Sequence, residues 1–395
     1  MQTSRGNGMH KPTFARGAAV VTALSLAFGL AACGDNAPAS SAISGASGAS
    51  SVSGADGGPN LQGEFAGSGA SSQQSANEAW IADFHASHNQ ARISYDPAGS
   101  GAGVTALLNG SVIWAGSDEP LNAAQLEQSK STCARGTAFE VPVYVTPIAF
   151  AYNLPSVGLN DSGKHLRMEP ETIAAIFQGQ ITRWNDARLA RLNPGVGLPD
   201  LPITVVHRSD KSGTTKSLFK YLKAAAGPAW PYEPGENWPN NVGQGAKGTA
   251  GLVMTLTQAE GTFGYADAAQ TSGLGTVAVK VGESYVPASE RGVSKMMDKV
   301  KYEAQPQGSL RKLVKVDYQT AEPGAYPVLL VSYDIACQAY QRDASGSKAA
   351  FAKSWLSYLA SEAGQQQAAA NAGSVPLTPA IREQVMQSVQ AIEAS

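Results

Sequence analysis

Three short segments of the chain share one design: glycine, serine and threonine crowd the point where a strand gives way to a helix. They are Gly67-Ser68-Gly69-Ala70-Ser71-Ser72, Gly99-Ser100-Gly101-Ala102-Gly103 and Arg208-Ser209-Asp210-Lys211-Ser212-Gly213-Thr214. The first N–H groups of a helix have no internal acceptor and carry partial positive charge. Small side chains leave those groups uncovered, so an oxyanion can approach them, and hydroxyls add further donors. One such segment alone is usually no more than a helix cap. Three in one chain point to an oxyanion site. The second is not a dinucleotide-binding fingerprint, because Val104 stands where its last glycine would be.

Charged residues sharpen this chemistry. Arg208 opens the third segment and can give two parallel N–H bonds to one oxyanion. Asp210, two residues on, is placed either to steer that guanidinium or to cap the following helix. Asp118 stands in Gly116-Ser117-Asp118, just after an apolar run. A carboxylate beside a bound anion repels it unless the anion still carries a proton for the carboxylate to accept. Phosphate keeps a proton at neutral pH and sulfate does not. A site built around a required hydrogen bond discriminates by roughly 10⁴–10⁵ against an analogue that lacks it.

The elements that must hold these residues follow from the apolar pattern. Short β-type runs at 92–95, 112–115, 141–152, 203–207 and 328–333 alternate with amphipathic stretches, an α/β arrangement. The spacing of Ile173, Ile176 and Phe177 predicts a helix over 170–178, stopped by Gly179. Leu218, Tyr221 and Leu222 predict another over 212–226, stopped by Gly227, and Trp355, Tyr358 and Leu359 one over 351–360. At 395 residues the chain exceeds one ordinary core and implies two globular units. With 15% charged residues, 42 glycines and 22 prolines it is neither a coiled coil nor an integral membrane protein. Its 29 basic and 31 acidic residues give no field to attract nucleic acid.

The N-terminus is an export signal. Arg5, Lys11 and Arg16 precede an apolar run over 17–32, too short to span a membrane comfortably. Leu30-Ala31-Ala32-Cys33 looks like a bacterial lipobox, which implies cleavage after residue 32 and lipid on Cys33. The alternative is a simple secretory signal. Cleavage leaves 26 basic and 31 acidic residues, a net charge of −5, so an anion must be held by local groups. Residues 33–60 are rich in Ser, Gly and Ala and read as a flexible tether. Two cysteines remain, Cys133 and Cys337, either paired as exported cysteines usually are or left as buried thiols.

From about residue 61 to the C-terminus the chain resembles the phosphate-binding receptors of bacterial phosphate ABC importers, which have the type II periplasmic binding protein fold. The resemblance rests on the second and third segments above, on Gly116-Ser117-Asp118, and on Ile176-Phe177-Gln178-Gly179-Gln180-Ile181-Thr182-Arg183-Trp184-Asn185-Asp186 with Leu192-Asn193-Pro194-Gly195. It implies two α/β lobes, 61–145 plus 326–395 and 146–325, with the ligand in the cleft between them. It implies phosphate contacts from Ser71, Ser72, Ser100, Asp118, Arg208, Ser212, Gly213 and Thr214, with Asp210 in support. Ser72 departs from the family, where phenylalanine is common and serves through its backbone N–H. The stretch around Trp184 reads as structural support. Cys133 and Cys337 then fall in or beside one lobe, which favours a disulfide. A monomeric, lipid-anchored extracytoplasmic receptor delivering phosphate to the importer's permease and ATPase follows, with no cofactor and no catalysis.

Rival readings are a receptor for another oxyanion and a phosphate-ester hydrolase. Lys211-Ser212-Gly213 and Ser345-Gly346-Ser347-Lys348 resemble boxes of penicillin-binding enzymes, but in reversed order. His85 and His88 could share a helix face, yet lack the further ligands that a metal site needs.

Overall fold

A computed structural model of the protein describes residues 61–160 and 163–393. The signal segment 1–32, Cys33 and the tether 33–60 lie outside the described residues. The alternation of short apolar runs with amphipathic stretches becomes a mixed α/β fold around one curled sheet.

The strand Gly63–Gly69 pairs in parallel with Ala91–Asp96 on one side and Trp114–Ser117 on the other. Leu329–Ala336 continues the sheet, antiparallel to both Trp114–Ser117 and the fourteen-residue strand Phe139–Tyr152. That long strand is buried at every position, which explains its unbroken apolar run in place of an alternating one. It also changes partner along its length. Residues 139–147 pair with Leu329–Ala336, whereas Ile148 to Tyr152 pair with Thr262–Asp267. Thr204–Arg208 then lies parallel to Thr262–Asp267, with Gln244–Ala246 outside it.

Each half of the sheet covers its own aromatic cluster. Trp80, Phe84, Trp114, Phe351 and Trp355 pack edge to face and stacked under the first half. Phe150, Phe177, Trp184 and Phe263 pack under the second. Such rings contribute large buried area plus about 0.5–1.5 kcal/mol per favourable pair.

The predicted helices form. Pro170–Phe177 starts with proline in its first turn and is followed by Gly179 at φ +70°. Gly213–Ala225 is capped by Ser212, whose hydroxyl accepts the Thr215 N–H at 3.1 Å. Ser347–Ala360 begins four residues earlier than its apolar spacing predicts. Two strands also differ from the sequence reading. The run at 112–115 pairs as Trp114–Ser117, because Gly116 and Ser117 find partners in Gly69 and Tyr333 despite their poor strand propensity. The run at 328–333 extends to Ala336, held by the ladder to Phe139.

Cys133 and Cys337 form a disulfide across 204 residues of sequence, with Cα atoms 5.2 Å apart. It ties the loop after Ala123–Ser129 to the end of Leu329–Ala336. Among the described residues no helix is long and apolar enough to cross a membrane.

Candidate anion-binding site

All three small-residue segments arrive at one place, at the junction of the two sheet halves. The first leaves Gly63–Gly69 and turns through Ser71–Gln73 into the helix Gln74–Ser87. The second begins the helix Ser100–Leu108, with Gly99 as its N-cap at φ +104°. This helix can approach the first segment only because Gly103 has no side chain: a Cβ there would lie 2.3 Å from the Gly69 Cα. The third leaves Thr204–Arg208 and enters Gly213–Ala225.

Asp118 is the centre of the constellation and is buried. Its carboxylate accepts from the Ser72 hydroxyl at 2.7 Å and the Thr214 hydroxyl at 2.8 Å. A third donor is the Ser332 hydroxyl at 2.9 Å. Ser100 Oγ accepts the backbone N–H of Asp118 and that of Gly213, both at 3.3 Å, and so joins two segments 113 residues apart. Burial pushes the Asp118 carboxyl above its ordinary value, although these three hydroxyls and the Arg208 charge pull it down.

Arg208 is buried to 3% exposure. Its Nε donates to Asp210 Oδ1 at 2.7 Å, and its Nη2 donates to the other oxygen. Asp210 is therefore the guanidinium's partner and not a helix cap, a role Ser212 fills. Burial works against the Asp210 charge, but Arg208 holds that carboxyl below the usual range. Two of the five guanidinium N–H groups are spent on Asp210, which leaves part of the fork for another acceptor. The Gly248 N–H also donates to Asp210 at 3.0 Å.

Ser71 faces the same junction, its hydroxyl 3.0 Å from Thr249 Oγ1 and accepting the Thr249 N–H at 3.1 Å. Ser212 is buried; its N–H donates to the Glu236 carbonyl at 3.0 Å, and its hydroxyl accepts the Thr215 N–H while keeping its own proton free to donate. Gly213 is where the halves meet most closely. A Cβ there would lie 2.7 Å from Ser100 Oγ and 2.8 Å from Asp118 Cβ. Every predicted contact residue thus belongs to one connected, buried cluster.

Sequence reasoning missed several members. Ser332 donates to Asp118 and accepts from Gln73 Nε2 at 2.9 Å. Its signal was a single hydroxyl within Leu329-Leu330-Val331-Ser332, since a buried polar group in an apolar strand needs a partner. Tyr144 donates to the Ser72 carbonyl at 3.0 Å. Glu119, buried beside Asp118, receives Lys220 at 2.7 Å and Lys216 at 3.2 Å, both from the helix Gly213–Ala225. Nothing local marks Thr249 or the two lysines, whose partners are distant in sequence.

Other residues singled out in the sequence lie elsewhere. Trp184 is fully buried, donates to the Gly261 carbonyl at 3.1 Å and packs on Tyr152 and Phe263, a structural role. Asn193 is likewise structural, bonding both backbone groups of Arg167. His88 stacks on Phe84, and His85 approaches the Ala91 carbonyl. Ser345 and Ser347 bond one another at an exposed helix start.

Comparison with known proteins gives the family. A family model described as a PBP superfamily domain matches residues 54–363. The "Phosphate-binding protein PstS 2" of Mycobacterium tuberculosis is 32% identical over 387 residues, covering 96% of this chain and 99% of that protein. The "Phosphate-binding protein PstS 3" of Mycobacterium leprae is 30% identical over 331 residues, covering 82% and 86%. Among solved structures, a high affinity periplasmic phosphate-binding protein bound with phosphate (PfluDING) superposes with a TM-score of 0.64. It is 21% identical and covers 82% of this chain and 93% of its own, which establishes the shared type II periplasmic binding fold. The chain belongs to the PBP superfamily, among the phosphate-binding proteins of the PstS type.

Proposed function

We propose that the protein captures inorganic phosphate outside the membrane and hands it to an ABC importer. The observation that carries this reading is Asp118, a buried carboxylate ringed by Ser72, Thr214 and Ser332 hydroxyls, with Ser100 and the Arg208–Asp210 pair around it. Hydroxyls rotate at little cost, so Ser72 and Thr214 donate to an arriving anion while Asp118 accepts the anion's own proton. Arg208 supplies the positive charge, and Ser71, Ser100, Ser212, Gly213 and Thr214 supply neutral donors. Hydrogen bonds to charged groups contribute about 1.5–3 kcal/mol each. Eight such residues support a Kd near or below ~1 μM after association costs.

Two lobes, 61–145 plus 326–395 and 146–325, close over the ligand, and the strand Phe139–Tyr152 crosses between them where its partner changes. The closed shape is what the permease and its ATPase read, by preferential binding of phosphate to that state. Lipid on Cys33 and the tether 33–60 keep this monomeric receptor near its importer. The reading has no catalytic step and no cofactor.

Isothermal titration with phosphate, arsenate and sulfate tests the reading. Submicromolar phosphate binding with no measurable sulfate heat is expected. Tight sulfate binding would replace phosphate with another oxyanion, and turnover of a chromogenic phosphate ester would make the protein a hydrolase. Fractionation of a Cys33→Ala protein tests the anchor, with release from the membrane expected.

A further inference from the structure

Asp267 is a second acid at the junction and has no role in the scheme above. It is the last residue of Thr262–Asp267, which runs parallel to Thr204–Arg208, so both strands end at the same edge of the sheet. Parallel strands of open α/β sheets present their ligands at that carboxyl edge. Its backbone partner is Ile148, the first residue of Phe139–Tyr152 to pair with the second half of the sheet. Asp267 therefore sits at the crossing point between the halves. It is 3% exposed, and among the described residues no other residue donates to either carboxyl oxygen, its own backbone N–H alone standing near.

A buried carboxyl that no other residue donates to is costly, and in a folded protein it marks a neutral acid or a partner yet to arrive. The charged and titratable groups that act on it are those of the anion site. The Asp118 charge acts on it from the turn after Trp114–Ser117, and the Arg208 charge, with Asp210 attached, from the neighbouring strand. Its own charge acts in turn on Tyr144, on the crossing strand. Burial and then the Asp118 charge push Asp267 up to about 7, against the pull of Arg208. Among the described residues Asp334 is also a buried acid, but it lies in the first half of the sheet, where Gln73 and Trp355 act on its carboxyl.

Resting on the phosphate reading, we infer that Asp267 is a specificity-determining residue of the same site: it takes a proton from solvent as the anion enters, and so admits the anion's charge only with a neutralising proton. The entering anion brings negative charge next to two carboxyls, while Arg208 is already half committed to Asp210. Asp118 stays the acceptor of the anion's own proton, and the proton taken from water resides on the Asp267 carboxyl. Affinity then falls as pH rises above about 7, because the proton must be drawn from an ever scarcer supply.

The test is calorimetry with inorganic phosphate at pH 8 in two buffers of different ionisation enthalpy, on the wild type and on Asp267→Asn. Near one proton taken up per phosphate is expected for the wild type and near none for the variant. The ratio of wild-type to variant Kd is expected to climb by up to about tenfold per pH unit between pH 7.5 and 9. Equal proton counts and parallel pH profiles, with phosphate still bound, overturn the role of Asp267 and leave the phosphate reading intact. No phosphate heat in the wild type at any pH removes both. Should Asp267→Asn show no cooperative melt, the wild type decides. Phosphate must then raise an infrared band of a protonated carboxyl together with proton uptake, and absence of either overturns the inference.

Discussion

Asp118 accepts hydrogen bonds from three hydroxyls, and each of those hydroxyls can turn to another acceptor. In the proposed site, selectivity comes from the one thing Asp118 cannot do when ionised, which is donate. Asp118→Asn supplies an amide N–H in its place and removes the repulsion of a fully ionised tetrahedral anion. Competition calorimetry is expected to show the preference for phosphate over sulfate falling by at least about 100-fold, from the roughly 10⁴–10⁵ that a required hydrogen bond supports. The buried acids also set a pH dependence of stability. Asp267 and Asp334 are pushed up to about 7, so the native state holds protons that the unfolded chain releases from about pH 4 upward. Their contribution to stability is therefore present at low pH and lost as pH climbs through about 7. Urea melts at pH 5 and pH 8 are expected to show the lower midpoint at pH 8. At this scale Asp118, Arg208 and Ser100 were legible because glycine and hydroxyl neighbours mark them. Ser332, Thr249 and Asp267 were not, since each is a single polar residue in an apolar strand or at an ordinary helix start. Their surroundings are set by residues far away in sequence.

At the scale of elements, the site depends on helices starting close to strands that end, and small residues permit that closeness. Gly213 begins its helix against Ser100 and Asp118 of the other half. Gly213→Ala adds a methyl at that contact, where overpacking costs about 1–3 kcal/mol. Phosphate affinity is expected to fall by tenfold or more in a titration, with a lowered thermal midpoint. Unchanged phosphate affinity would show that the residue matters only for folding. Helices were legible because their apolar spacing is strict: Ile173, Ile176 and Phe177 are all buried as their spacing implies. Strand ends were less so, because pairing partners overrule local propensity, as Gly116 and Ser117 show in their ladders to Gly69 and Tyr333. The long strand 139–152 was legible in composition, yet nothing in its sequence marks Ile148 as the residue where its partner changes.

At the scale of the whole molecule, the proposed receptor must hold its two lobes together strongly enough to fold and loosely enough to admit a ligand. The Cys133–Cys337 disulfide closes a loop of 204 residues within the fold. In the chain-entropy model such a loop is stabilised by about 5 kcal/mol, an upper figure because native strain and residual structure reduce it. Reduction is expected to lower the urea midpoint clearly while leaving phosphate affinity nearly unchanged, because the bridge is remote from Asp118. Glu119 gives the opposite kind of link, one made across the junction by Lys216 and Lys220.

The most direct test is a crystal structure grown with inorganic phosphate. Tetrahedral density is expected within hydrogen-bond distance of Ser72, Ser100, Asp118, Arg208 and Thr214, with one phosphate oxygen close enough to Asp118 to share a proton. Phosphate bound on any other surface, with Asp118 and Arg208 untouched, would contradict the assignment of this cluster as the anion site.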